Sequence, residues 1–302
     1  MILVLIKQVL IMFLLSGVGY VMFRTKKISQ EGSKSIGNIL IYLSLPCVII
    51  NGFLVERTSE ALLGLGLSAL AAVLILAVCI LVSRLCFKKD AIAAFASAFS
   101  NPGFFGIPLI VSSLSSGAVF YVAAFIAFLN LLQWTYGVAI MTGEKKGLKP
   151  LAVLKAPFMV AILIGLFFFL TGLKMPAMIS SVLSSIAALN TPLAMFTVGI
   201  YLAQTDLLQM VKKGRLYGVS AVRLLLIPLL ALGLLSLVPS AFMDMRLALL
   251  IAAACPVGSN VAVYAQLHGK DYGYAVETVV ISTLFSVATI PLLVGLAQLL
   301  WV

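Results

Sequence analysis

Two short runs set asparagine and serine beside proline and glycine in otherwise apolar surroundings. They are Phe99-Ser100-Asn101-Pro102-Gly103-Phe104-Phe105-Gly106-Ile107-Pro108 and Cys255-Pro256-Val257-Gly258-Ser259-Asn260. Asparagine and serine supply neutral donors and acceptors suited to a carboxylate or another small polar ligand. Proline removes a backbone donor and clashes with the preceding turn, and glycine lowers helix propensity, so a helix is expected to break at each run. The second half of a broken helix presents unpaired N–H groups and about half a positive charge from its dipole. Together the breaks offer a way to hold an anion without a buried lysine. The candidate binding residues are Asn101, Pro102, Gly103, Pro256, Gly258, Ser259 and Asn260, with Ser100 adjoining them.

The elements that position these runs are membrane helices. The chain has 302 residues, 63% hydrophobic and 10% charged, with a mean hydropathy of +1.21, well outside the range of soluble domains. Apolar runs and their punctuation predict spans near 2–23, 35–55, 60–87, 91–113, 117–141, 153–172, 177–204, 214–238, 246–267 and 273–301. At about 20 residues per span, little chain is left for a soluble domain. The first run is too long for a signal h-region and lacks a cleavage pattern, so it is expected to remain in the mature protein. Each break is expected near mid-depth, that in the ninth span with about nine residues of helix on either side. Unwound backbone at that depth is tolerated only where protein or a watery cavity satisfies it.

Charge orders the connections. Arg24, Lys26, Lys27 and Lys34 follow the first span; Arg84, Lys88 and Lys89 the third; Lys145, Lys146, Lys149 and Lys155 the fifth; Lys212, Lys213 and Arg215 the seventh. The alternate connections are poor in lysine and arginine. Positive residues resist translocation, so the odd connections are expected in the cytoplasm and both termini outside, with Lys7 a dissenting charge. The break from Gly143 to Pro150 divides the chain into residues 1–142, a linker at 143–152, and residues 153–302. Five crossings per half turn the second half over, which is the geometry of an inverted repeat. Pro46 and Pro102 in the first half have counterparts in Pro192 and Pro256.

Further polar residues lie within the spans. Asn130 and Gln133 share a helical face; they either line a cavity with Asn101 or bond between helices. Asn51, Asn190 and Thr191 carry the same two readings, with interhelical bonding favoured. Arg223 lies about eight residues into the eighth span and is read chiefly as snorkelling to the cytoplasmic interface, the alternative being a deeper role toward an anion. Glu277 is expected at the interface and His268 at the surface.

Several functions are disfavoured. The formal net charge of +11 is spread between apolar runs rather than gathered on a basic face, which argues against nucleic acid. Cys47, Cys79, Cys86 and Cys255 show neither metal-ligand spacing nor a pairing framework, and no metal or cofactor is expected. No paired membrane aspartates, zinc-type histidine pair or Ser/His arrangement supports an intramembrane enzyme. The absence of mid-membrane aspartate argues against a sodium/proton antiporter, and the spans leave no room for a receptor's signalling domain.

Leu45-Pro46, Asn101 to Pro108, Thr191-Pro192-Leu193-Ala194, Pro256 to Asn260 and Ser282-Thr283-Leu284-Phe285-Ser286 together resemble the auxin efflux carrier family. That family contains the plant PIN-formed auxin exporters and bacterial permeases for malate, malonate and similar acids, within the bile/arsenite/riboflavin transporter superfamily. The resemblance implies a scaffold of spans 1, 2, 6 and 7 and a transport unit of spans 3–5 and 8–10. It further implies crossing of spans 4 and 9 at their prolines, elevator-like motion, and a homodimer. Asn101, Pro102, Pro256, Asn260 and Gln133 match its crossover and pocket positions. The linker is short where the plant exporters have a long loop, so a bacterial-type permease for a small organic anion is the better match. A bile-acid type sodium symporter is the rival, and sodium or proton coupling stays open.

Overall fold

The computed structural model describes residues 2–143 and 155–301. The linker beyond Gly143, with Lys145, Lys146 and Lys149, lies outside the described residues, as does the expected start of the sixth span. The described chain is helical: α1 (Ile2–Arg24), α2 (Gln30–Phe53), α3 (Ser59–Cys86), α4 (Ala91–Ala98), α5 (Pro102–Ser113), α6 (Ser116–Thr142), α7 (Pro157–Thr171), α8 (Ala177–Ala203), α9 (Gly214–Leu235), α10 (Met243–Ala254), α11 (Asn260–Leu267) and α12 (Tyr272–Trp301). Seven of these, α1, α2, α3, α6, α8, α9 and α12, are long and apolar enough to cross a membrane. Among the described residues the sole extended pairing is an isolated antiparallel bridge between Ser100 and Val257.

The fourth and ninth apolar segments are each two short helices rather than one. Against about nine residues expected on either side of the ninth-segment break, α10 has 12 before it and α11 has 8 after it; in the fourth segment α4 has 8 before the break. The second helix begins at Gln30 instead of residue 35, because the Ser29 hydroxyl accepts the Gly32 N–H at 3.0 Å and caps it.

Pro46 does not end its helix. A wide turn at Leu40–Ser44, closed by a Leu45 N–H bond to the Leu40 carbonyl five residues back, absorbs the missing donor. The same device precedes Pro108 at Pro102–Gly106 and Pro228 at Val222–Leu226. Skipping one residue in the ladder relieves the clash of the proline ring with the preceding turn, at the cost of a looser turn.

Burial runs opposite to that of a soluble protein. Leu3, Leu14, Met178, Leu292 and Leu299 are exposed, while Ser16, Ser68, Ser97, Gln133 and Thr278 are buried. An apolar exterior suits hydrocarbon, where buried polar groups must find partners inside the protein. The closest helix contact pairs α1 with α8 through Gly19 and Gly199. A Cβ on Gly199 would lie 1.9 Å from the Ser16 carbonyl oxygen, so only glycine admits this approach.

Candidate functional site

The two breaks meet. The Asn101 N–H donates to the Pro256 carbonyl at 2.9 Å, and the Gly258 N–H donates to the Phe99 carbonyl at 2.9 Å. This reciprocal pair makes the Ser100–Val257 bridge, so each interrupted helix supplies backbone partners for the other and unwound chain is tolerated in an apolar interior. The contact is too close for a side chain at residue 258, where a Cβ would lie 2.9 Å from the Ser100 carbonyl oxygen. Ser282 on α12 adds a third tie, its hydroxyl accepting the Val257 N–H at 3.0 Å and donating to Val279. Ser282 was not among the expected site residues, although it opens one of the motifs carrying the family resemblance.

A cavity of about 60 Å³ sits at the crossing, lined by Ser100, Asn101, Pro102, Gly103, Asn130, Gln133, Gly258, Ser259 and Asn260 together with Leu45, Phe104, Ile126 and Leu129. None of these residues is charged. The expected residues are thus brought together, apart from Pro256, which contributes its carbonyl to the bridge rather than a surface to the cavity. The Asn101 side-chain oxygen accepts the Phe104 N–H at 3.3 Å and so caps α5. Asn260 opens α11, and its amide donates to the Gln133 side-chain oxygen at 2.7 Å. Gln133 is 1% exposed and starts a wide turn at Gln133–Gly137, which has no proline to explain it; such turns recur at functional positions. Asn130 turns its amide to its own helix, donating to the Ile126 carbonyl at 2.8 Å.

Donors remain free at this site. The backbone N–H groups of Gly103, Ser259 and Asn260, at the starts of α5 and α11, have no acceptor among the described residues. The Ser100 hydroxyl is buried and likewise unpartnered. Two positive helix ends and a free hydroxyl around one polar cavity favour a small anion.

Asn51, Asn190 and Thr191 do not reach this cavity. They line an adjoining one of about 380 Å³, with Pro108, Ser112 and Ser184. Asn190 connects the two, its amide donating to the Gly103 carbonyl at 3.4 Å while its side-chain oxygen is left without a partner. Interhelical bonding and cavity lining are both realised in this one residue.

Arg223 overturns its favoured reading. It is 0% exposed, and its guanidinium donates to backbone carbonyls of α4 and α10 instead of reaching an interface. Residue count from a basic connection gives depth along a helix but not the face, and the face of Arg223 points into the protein. Glu277 forms an ion pair with Lys213 at 2.6 Å, and His268 is half-buried against Tyr264.

The chain matches the family described as "Membrane transport protein" over residues 4–294. It is also 25% identical over 287 residues to the "Putative malonate transporter" of Rhizobium meliloti (strain 1021), covering 90% of this chain and 89% of that one. A match over nearly the whole length, on a chain whose apolar helices carry the two crossing breaks, makes this a multi-pass membrane protein belonging to the membrane transport protein family, the auxin efflux carrier type that its motifs resemble.

Proposed function

We propose that the protein is a secondary transporter for a small organic anion, an auxin-like or malate/malonate-like carboxylate, bound where the two broken helices cross. The observation that carries this reading is the set of free N–H groups of Gly103, Ser259 and Asn260 around one uncharged polar cavity. Helix N-termini attract a carboxylate without a competing counter-ion, and the name of the Rhizobium meliloti relative points to malonate as the first substrate to try. About 60 Å³ is room for roughly four waters. In this reading a bound carboxylate competes with the Gln133 side-chain oxygen for the Asn260 amide donor.

In this reading the chain has ten spans as two inverted five-helix repeats, residues 1–142 and 153–302, in the cell membrane with both ends outside. Spans 3–5 and 8–10 move as an elevator against a scaffold of spans 1, 2, 6 and 7, exposing the crossing to one side and then the other. The lysines and arginines of the odd connections support that orientation, and the two breaks in corresponding positions support the repeat.

The test is flux into liposomes. Reconstituted protein is given labelled malonate, malate, indole-3-acetate and other carboxylates, with and without sodium, a pH gradient and an imposed potential. Sodium-independent carboxylate flux that falls at least about tenfold in both Asn101→Ala and Asn260→Ala is the expected result. Sodium-dependent flux would replace this reading with a symporter of the bile-acid type, and no flux of any anion would remove it.

A further inference from the structure

Arg223 lies on the wide turn Val222–Leu226 of α9, fully buried. One guanidinium nitrogen donates to the carbonyls of Ser97 at 3.0 Å and Ala98 at 3.1 Å, and the other to the carbonyl of Ala253. Ser97 and Ala98 close α4, and Ala253 is the penultimate residue of α10. A single cation therefore holds the C-terminal ends of both half-helices that run into the crossing. Each such end carries about half a negative charge, so the two repel when brought together, and a planar fork of donors is the group that can satisfy both at once.

The carbonyls engage both terminal nitrogens of Arg223 without neutralising it by a formal charge, and its Nε is left without a partner. Among the described residues no carboxylate pairs with it; the ion pairs there join Lys213 to Glu277 and Arg215 to Asp271. Its unit charge offsets the two C-terminal ends, each about half a charge, and leaves the two N-terminal ends of α5 and α11 uncancelled, about one positive charge in all. We infer that Arg223 is a positioning residue that makes the crossing net positive, so that the cavity takes a carboxylate in preference to a neutral molecule of the same shape. This rests on the anion-site reading of the crossing.

Purified protein in detergent is titrated with malonate and with malonamide, its neutral diamide, by calorimetry. The wild type is expected to prefer malonate by at least about 30-fold, the size of a single charge–carboxylate interaction across a nominal ~8 Å at an effective dielectric of about 20, with malonate's second carboxylate adding to it. In R223Q the ratio of the two affinities is expected to shrink to within about threefold, whatever change the two ligands share. R223K keeps the charge but not the fork; it is expected to melt at a lower temperature yet hold a preference of at least about tenfold. A merely structural staple would move the melting temperature in both variants and leave the preference alone. A wild-type preference retained in R223Q overturns the role given to Arg223. If R223Q does not fold, loss of the preference in folded R223K overturns it instead. No preference in the wild type would overturn the anion-site reading itself, and the inference with it.

Discussion

At residue 258 the fold leaves no room for a side chain, because the backbone carbonyls of Phe99 and Ser100 pass 3.2 and 2.9 Å from where a Cβ would sit. Gly258→Ala is expected to destabilise the protein by about 1–3 kcal/mol, measured as a lower melting temperature in detergent. Gly103 is the control: a Cβ there meets only the Leu45 side chain at 3.5 Å, an ordinary contact, and Gly103→Ala is expected to melt within a few degrees of the wild type. Both glycines follow a proline within two residues, and nothing local separates the one that permits a crossing from the one that does not. The difference is made by a segment more than 150 residues away, across the Ser100–Val257 bridge. That Asn101, Gln133 and Asn260 turn inward to a shared polar cavity was legible because amides are costly among apolar neighbours unless partnered. The depth of Arg223 was not, since its partners are carbonyls, which leave no mark in the sequence.

At the scale of elements, helix ends and breaks were written in the residues that make them. Pro102 and Pro256 mark interruptions, and Asp90, whose carboxylate oxygen accepts the Ala93 N–H at 3.0 Å, marks the start of α4. Pro46 and Pro228 look the same in sequence but are absorbed by wide turns, which depend on how neighbouring helices pack. The unequal halves, 8 and 12 residues, follow from where the two segments meet rather than from either alone. Helix contact gives the sharper prediction. Gly199→Ala would force a Cβ to 1.9 Å from the Ser16 carbonyl oxygen, so α1 and α8 must separate. A loss above about 3 kcal/mol is expected, seen as failure to purify a monodisperse protein, whereas Gly17→Ala, with nothing within 4 Å of its Cβ, is expected to behave as the wild type.

The molecule as a whole offers a direct test of its orientation. Cys86 at the end of α3 is exposed, while Cys47, Cys79 and Cys255 are buried. The basic residues Arg84, Lys88 and Lys89 around it place Cys86 in the cytoplasm in the proposed topology. A membrane-impermeant maleimide is then expected to label inside-out vesicles and not intact cells, with labelling abolished by Cys86→Ser. Labelling of intact cells would turn the topology over. That the chain is a set of apolar helices crossing a membrane several times was legible because the bilayer imposes long apolar runs on any chain that crosses it. The adjoining cavities were not, being formed by helices far apart in sequence.

The bridge at the crossing has a consequence for solvent exchange. Backbone amides at a helix break normally exchange hydrogen for deuterium quickly, since no carbonyl within the helix protects them. Here the Asn101 and Gly258 amides are locked across the two breaks and should be among the slowest in the chain, while those of Gly103, Ser259 and Asn260, a few bonds away, should be fast. A bound carboxylate should slow the second group and leave the first as it was, so the exchange pattern separates the amides that hold the protein together from those that hold its ligand.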